Sequence, residues 1–200
     1  EQAYGMVVSG NYFSTLGVQP ALGRFFSAEE DRTPGAHPVA VLSFALWQSR
    51  FGGNPSIIGQ NIKLKGQPFT VIGVAPKGFT STYNVFAPAV YVPLMMQAQI
   101  KSQPNIFGER MSKYLKLTGR LKPGVSREQV VANLTPSLQQ STLDEWQQAV
   151  AARGARAPRD TVRTVDDVPQ LRAESGAQGL MALRRRYAQP LAVLMGSVAL

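Results

Sequence analysis

Residues able to carry catalysis or hold a metal are few in this chain, and poorly placed for either. There is one histidine, His37, set between an alanine and a proline in "GAHPVA", and there is no cysteine. A histidine-dependent triad would have to use His37, yet a proline-flanked turn is also where a surface histidine without a role sits. One histidine without cysteine leaves zinc short of its usual ligands, and no disulfide can form. Among the acids, Glu29, Glu30 and Asp31 follow Ser27 in "SAEED". That spacing predicts a capping box and a helix start, where negative charge suits the dipole. Asp144 and Glu145 are adjacent and would diverge on a helix. "GNPSIIG" has two glycines and no lysine, so it reads as a turn, and no GxxxxGK[ST] phosphate loop occurs. No catalytic, cofactor-binding or metal residue is assigned, and the expectation is a protein that is not an enzyme and uses no cofactor.

The elements around these residues are better defined. "EQAYGMVVSG" predicts a strand leading into a turn. Asn11 or Ser9 then caps a short helix that Gly17 ends in a left-handed conformation. Val39 to Leu42 is a short apolar strand, and Ser43 caps the helix after it. Phe44, Trp47 and Phe51 fall on one face of that helix, which Gly52 and Gly53 end. Ile62 and Leu64 alternate with lysines at 63 and 65, the turn is read at Gly66, Gln67 and Pro68, and Phe69 to Val74 returns. "AVYVPL" is a third strand, and residues 95–112 read as loop or irregular helix.

Further on, Leu115, Leu117, Gly119 and Leu121 alternate as a strand would. Ser126 with Gln129 makes a second capping box, and Val130, Val131, Leu134 and Leu138 form the stripe of the following helix. Pro136 lies inside that stripe and predicts a kink or an early end. "DTVRTVDDV" reads as a closing strand, so this second part is β-α-β.

Composition sets the class. With 44% hydrophobic residues there is material for a core, and 14 prolines with 18 glycines favour a β-rich or mixed fold over a helical bundle. Residues 1–100 hold six Lys/Arg against four Asp/Glu, and residues 101–200 hold fifteen against eight. The excess is dispersed over Arg153, Arg156, Arg159, Arg163 and Arg172, with no RNA-binding aromatic signature and no zinc-finger spacing. It reads as a solvated face plus membrane-flanking arginines, and no nucleic-acid partner is expected. The final stretch, "RRRYAQPLAVLMGSVAL", ends on eleven residues of which only Pro190, Gly196 and Ser197 are not strongly apolar. A bilayer needs roughly 20 such residues. The run is therefore either a buried helix or the first half of a membrane span.

Several stretches occur in a specific order: "VSGNYFSTLGVQPALGRFFSAEED", "VAVLSFALWQSRFGGNPSIIGQNIKLKGQPFTVIGVAPKGF", "VYVPL" and "YLKLTGRLKPGVSREQVVANL". This set resembles the periplasmic core domain of MacB-like ABC transporter permeases, of the FtsX-like/MacB permease superfamily and its acidobacterial type. The resemblance implies an α+β, two-lobed extracytoplasmic domain, with a porter-like βαβ lobe, a mixed β-rich second lobe, and the start of a transmembrane helix at its end. Residues 1–10 would be a strand of the porter-like lobe, its first half lying before Glu1. Residues 11–112 would be the second, Sabre-like lobe, and 113–168 the returning βαβ half of the porter-like lobe. A connector would span 169–189, with Arg184 to Arg186 at lipid headgroups, and a transmembrane helix would start at 190–200. The resemblance also implies transmission of an ATP-driven conformational change across the bacterial inner membrane, for export or lipoprotein-type transport. Its partners would be an ABC ATPase subunit or domain, a second permease copy as homo- or heterodimer, a periplasmic adaptor or substrate protein, and the membrane. The alternative is a membrane-tethered periplasmic binding or adaptor module.

Overall fold

The computed structural model describes residues 4–82, 87–100, 117–153, 164–168 and 170–176. They fall into two compact units, the first centred on residues up to Ile100 and the second on Gly119 to Ser175. The first unit is mixed α/β, built on one mixed sheet. In chain order it has β1 (Gly5–Val8), α1 (Tyr12–Leu16), β2 (Leu22–Gly23), β3 (Val39–Leu42), α2 (Phe44–Phe51), β4 (Asn61–Leu64), β5 (Gln67–Val74), β6 (Val90–Pro93) and α3 (Gln97–Ile100). The strands lie in the order β1-β6-β3-β5-β2, with β4 also on β5. β1 runs parallel to β6, and β3 parallel to β5; β6 with β3, and β2 and β4 with β5, are antiparallel. β1 is thus part of this sheet, through its pairing with β6.

The strands carry near-continuous apolar runs because both faces of the sheet are covered. Ala40, Leu42, Phe69, Val71, Val74, Val90 and Val92 face one way with Ile57 and Met96, and α2 packs on them. Val8, Val41, Ile72 and Tyr91 face the other way with Phe13, Phe26 and Ala75, under α1. Val71 and Val74 share a face although they are three apart, which alternation alone forbids. The register between β3 and β5 shifts after Ala40, whose partner is Val71 while Val41 pairs with Gly73. Ile72 is the extra residue of a bulge, and the bulge resets the parity. Gly73 then lets β2 come close, since a Cβ there would collide with the Arg24 carbonyl.

Local signals explain the helices. The Ser43 hydroxyl accepts from the Leu46 N–H at the start of α2, and Gly52 ends it with φ 60. Gly17 ends α1 at φ 71, as expected, but Asn11 precedes that helix without a side-chain cap. Phe44, Trp47 and Phe51 do lie against the core, half-buried. The β4–β5 turn is shifted from the sequence reading. Leu64 pairs with Gln67, leaving Lys65 (φ 48) and Gly66 (φ 81) as a two-residue turn. Both positive φ values match the type I′ geometry that suits twisted strands. Pro68 lies within β5, opposite Lys63. That pair adjoins the closing hydrogen-bonded pair of the turn and exchanges no ladder bonds, so the missing N–H costs nothing there.

The second unit contains α4 (Arg127–Arg153). The Ser126 hydroxyl accepts from the Gln129 N–H at 3.1 Å and the Gln129 amide oxygen accepts from the Ser126 N–H at 2.8 Å, so the capping box is present. The helix does not end at Pro136. It continues 17 residues beyond, through residues that favour helix, and the Thr135 hydroxyl donates to the Val131 carbonyl at 2.6 Å beside the proline. The expected stripe is not buried: Leu134 is 51% exposed, and Val130, Val131 and Leu138 are half-buried. Two expected strands are absent among the described residues. Residues 117–122 form no ladder, and Leu117 is 89% exposed. Val165–Asp167 is a turn of 3₁₀ helix, because Thr164 and Asp167 close a capping box there instead. Arg184 to Arg186, the apolar run at 190–200, Arg156, Arg159 and Arg163, and most of the 95–112 stretch lie outside the described residues.

Candidate functional site

The acids of "SAEED" do not begin a helix. Ser27 and Glu30 still exchange the capping-box bonds, at 2.8 and 3.3 Å, but these close a turn. The cause is Arg24. Its guanidinium donates to both Glu30 oxygens, at 2.7 and 2.8 Å, in a fork-to-carboxylate pair. That bidentate pair, with the Ser27 backbone bond, holds the Glu30 carboxyl at about 2, well below the usual carboxylate range. A group so held stays ionised at neutral pH, so it has no proton to give as a general acid there and is only a weak base. Glu29 pairs with Arg32 at 3.2 Å on the exposed side of the same turn.

Asp31 points the other way, into the sheet. Its Oδ2 accepts from the Gly10 N–H at 2.8 Å, and its Oδ1 from the Met95 N–H at 3.0 Å. Gly10 follows the end of β1 and Met95 follows the end of β6, so one carboxylate binds the exits of two neighbouring parallel strands. Gly35, four residues on, donates its N–H to the Met95 carbonyl at 2.9 Å. Space requires a glycine at position 10: a Cβ would lie 2.9 Å from the Asp31 Cβ and 3.0 Å from the Ser27 carbonyl oxygen. This polar node, residues 24–35 with Gly10 and Met95, is the most organised arrangement of charged groups among the described residues. Sequence reading placed its acids at a helix dipole and missed the role of Asp31.

Behind the node lies an aromatic cluster. Phe13 stacks on Phe25 with centroids 3.8 Å apart, and Tyr12, Phe79 and Tyr91 surround Phe13. The Tyr12 hydroxyl accepts from the Thr82 N–H at 3.1 Å. Burial, with Tyr12 nearby, pushes the Tyr91 hydroxyl well above its usual range, and that oxygen has no hydrogen-bond partner among the described residues. This cluster seats α1 and the loop after β5 on the sheet; it holds no nucleophile with a base beside it.

The remaining sequence candidates stay apart. His37 is half-exposed in the loop before β3. Asp144 is exposed on α4 and accepts from the Gln140 side chain at 2.8 Å, and Arg172 is exposed. "GNPSIIG" forms a turn of 3₁₀ helix over Pro55–Ile57, capped by Asn54, between α2 and β4. Among the described residues no group of three or more His, Asp or Glu is placed to hold a metal ion, and no helix is long and apolar enough to cross a membrane.

A family model described as MacB-like periplasmic core domain matches residues 1–137. Several solved structures are similar at low identity, three of them as follows. The periplasmic region of MacB from Actinobacillus actinomycetemcomitans is 15% identical with a TM-score of 0.46, over 72% of this chain and 64% of that one. A domain of a putative permease protein from Porphyromonas gingivalis is 15% identical with a TM-score of 0.43, over 72% and 60%. The extracellular domain of the noncanonical ABC-type transporter YknZ from Gram-positive bacteria is 22% identical with a TM-score of 0.38, over 46% and 44%. The chain thus covers less than two thirds of each. No curated protein matches it significantly.

Proposed function

The chain belongs to the family of MacB-like periplasmic core domains, and on that premise we propose that it is the extracytoplasmic domain of an ABC transporter permease subunit, transmitting movement rather than catalysing a reaction. The single observation that carries this reading is the family match over residues 1–137. The polar node supports it: the acids that could do chemistry are spent on joining elements, as a domain that moves as a body requires. On this reading ATP is hydrolysed by a partner ATPase subunit or domain. The movement of two permease copies is passed outward to expel a periplasmic substrate or release a lipoprotein. The protein sits in the bacterial inner membrane with this domain on the periplasmic side. The division into a Sabre-like lobe at 11–112, a returning half at 113–168, a connector at 169–189 and a membrane helix starting at 190–200 belongs to the same proposal.

The test is biochemical. The purified 200-residue chain should not hydrolyse ATP, and the full gene product should fractionate with membranes and co-purify with an ABC ATPase encoded beside it. ATP turnover by the isolated chain, or a full gene product released in the soluble fraction, would overturn the reading.

A further inference from the structure

The chain enters the sheet at Tyr4 and leaves it past Pro93, and these two ends belong to neighbouring strands. β1 and β6 pair in parallel over Gly5↔Val90, Met6↔Tyr91, Val7↔Val92 and Val8↔Pro93. In a parallel pair the start of one strand and the end of the other lie at opposite ends of the ladder. A pull between residues before Gly5 and residues after Pro93 therefore runs along the strands. It loads all the cross-strand bonds together instead of opening them one by one. β1 meets the sheet through β6 alone among the described strands, so this ladder is the strand pairing that such a pull crosses.

Both ends of the ladder are tied. At the start, the Ala89 N–H donates to the Tyr4 carbonyl at 2.7 Å. At the exit, the Asp31 carboxylate takes the Gly10 and Met95 N–H groups, and Gly35 holds the Met95 carbonyl. Bonds to an ionised acceptor are roughly twice as strong as neutral ones. They sit where the chain turns off the sheet toward α3 and the load would first arrive.

We infer that β1 and β6 form a tension clamp, locked at its exit end by Asp31, that carries pull along the chain through the first unit without unfolding its sheet. Its purpose rests on the transmission reading above; its mechanical property does not. If the transporter partners fail to appear, the clamp stands, and if the clamp fails, the family assignment stands.

The absence of cysteine allows clean attachment of handles. The experiment pulls the full 200-residue chain in optical tweezers with cysteine pairs at exposed positions. Tyr4→Cys with Ala98→Cys loads β1 and β6 along their length; Tyr4→Cys with Ala87→Cys pulls both strands from the same end and peels them apart. The first rupture should need a several-fold higher force on the Tyr4–Ala98 axis. Asp31→Ala should lower that force and leave the Tyr4–Ala87 force unchanged, with Asp31→Asn in between because one oxygen acceptor remains. A residue of merely general structural importance would lower both axes by the same factor. Equal forces on the two axes in the otherwise native chain, which needs no Asp31 variant to fold, would overturn the clamp, as would an Asp31→Ala effect of equal size on both.

Discussion

Gly73→Ala should be severe, and the reason is steric rather than conformational. Gly73 does not have a positive φ, so alanine suits its backbone. The obstacle is Arg24, just past β2, which runs beside β5 so close that an added Cβ would overlap the Arg24 carbonyl and lie 3.2 Å from the Arg24 nitrogen. Backbone cannot step aside as a flexible side chain would. β2 must back away by roughly 1 Å or more to restore normal contact. The movement breaks two short bonds to β5, Arg24 N–H to the Ile72 carbonyl at 2.9 Å and Ala21 N–H to the Val74 carbonyl at 2.8 Å. Overpacking costs about 1–3 kcal/mol, and each lost bond about 1 kcal/mol; part of the strain is relieved by the bond breaking, so a net loss of about 2–4 kcal/mol is expected. For a unit of this size that is a fall in Tm of roughly 10–25 °C. Thermal unfolding of the full chain followed by circular dichroism checks it. Gly119→Ala is the control, because a Cβ there meets nothing within 4 Å, and its effect should stay within about 0.5 kcal/mol. If Gly73→Ala melted within a degree or two of the native chain, the close approach of Arg24 to β5 would be wrong.

Glu30 predicts a pH dependence: its carboxyl is held at about 2 against an unfolded value near 4.5, so its stabilisation is complete above pH 4.5 and is lost as pH falls toward 2. Because Arg24 is 56% exposed, that share is about 1–2 kcal/mol after screening, and urea unfolding of Glu30→Gln should lack this acid-sensitive part. Trp47→Ala should cost about 2–3 kcal/mol, below the value for a fully buried tryptophan, with part of the loss from the indole N–H bond to the Asn54 carbonyl at 2.9 Å; chemical denaturation reads it. Lys65→Asn should stabilise by a few tenths of a kcal/mol up to about 1, because asparagine tolerates the φ of 48 that the turn demands; a lower melting temperature would reject the two-residue turn.

Elements whose signals were local were legible in the sequence. The runs Val39–Leu42 and Val90–Pro93 are apolar and β-branched, and they are strands. Ser43, Gly17, Gly52 and the Ser126–Gln129 box mark helix ends where they stand. The errors also had local causes. Pro68 suggests a turn, and Lys65 does not look like a residue with positive φ, so the sequence reading starts the β4–β5 turn one residue late and ends it two late. The alternation in Leu117–Leu121 suggested a strand, but a strand forms only against another, and no ladder holds it among the described residues. Over the described part of "DTVRTVDDV", residues 164–168, the β-branched Thr164 and Val165 lost to Asp167, whose side chain takes the Thr164 N–H at 2.8 Å.

The node was hidden for a different reason. Glu30 and Asp31 are neighbours of the same charge, and sequence gave them the same role. Glu30 meets a charged side chain six residues away, a partner that composition at least displays. Asp31 meets two backbone N–H groups, 21 and 64 residues away. Backbone donors exist at every residue except proline, so nothing in the letters marks Gly10 or Met95 as the ones that count. The only trace is steric: position 10 has to be glycine because Asp31 stands against it. That trace can be tested directly. Gly10→Ala should drive Asp31 back from both strand exits and mimic Asp31→Ala in the pulling geometry along β1 and β6, although it changes no charge. A Gly10→Ala chain that kept the native rupture force on that axis would mean that the carboxylate does not hold the exits together.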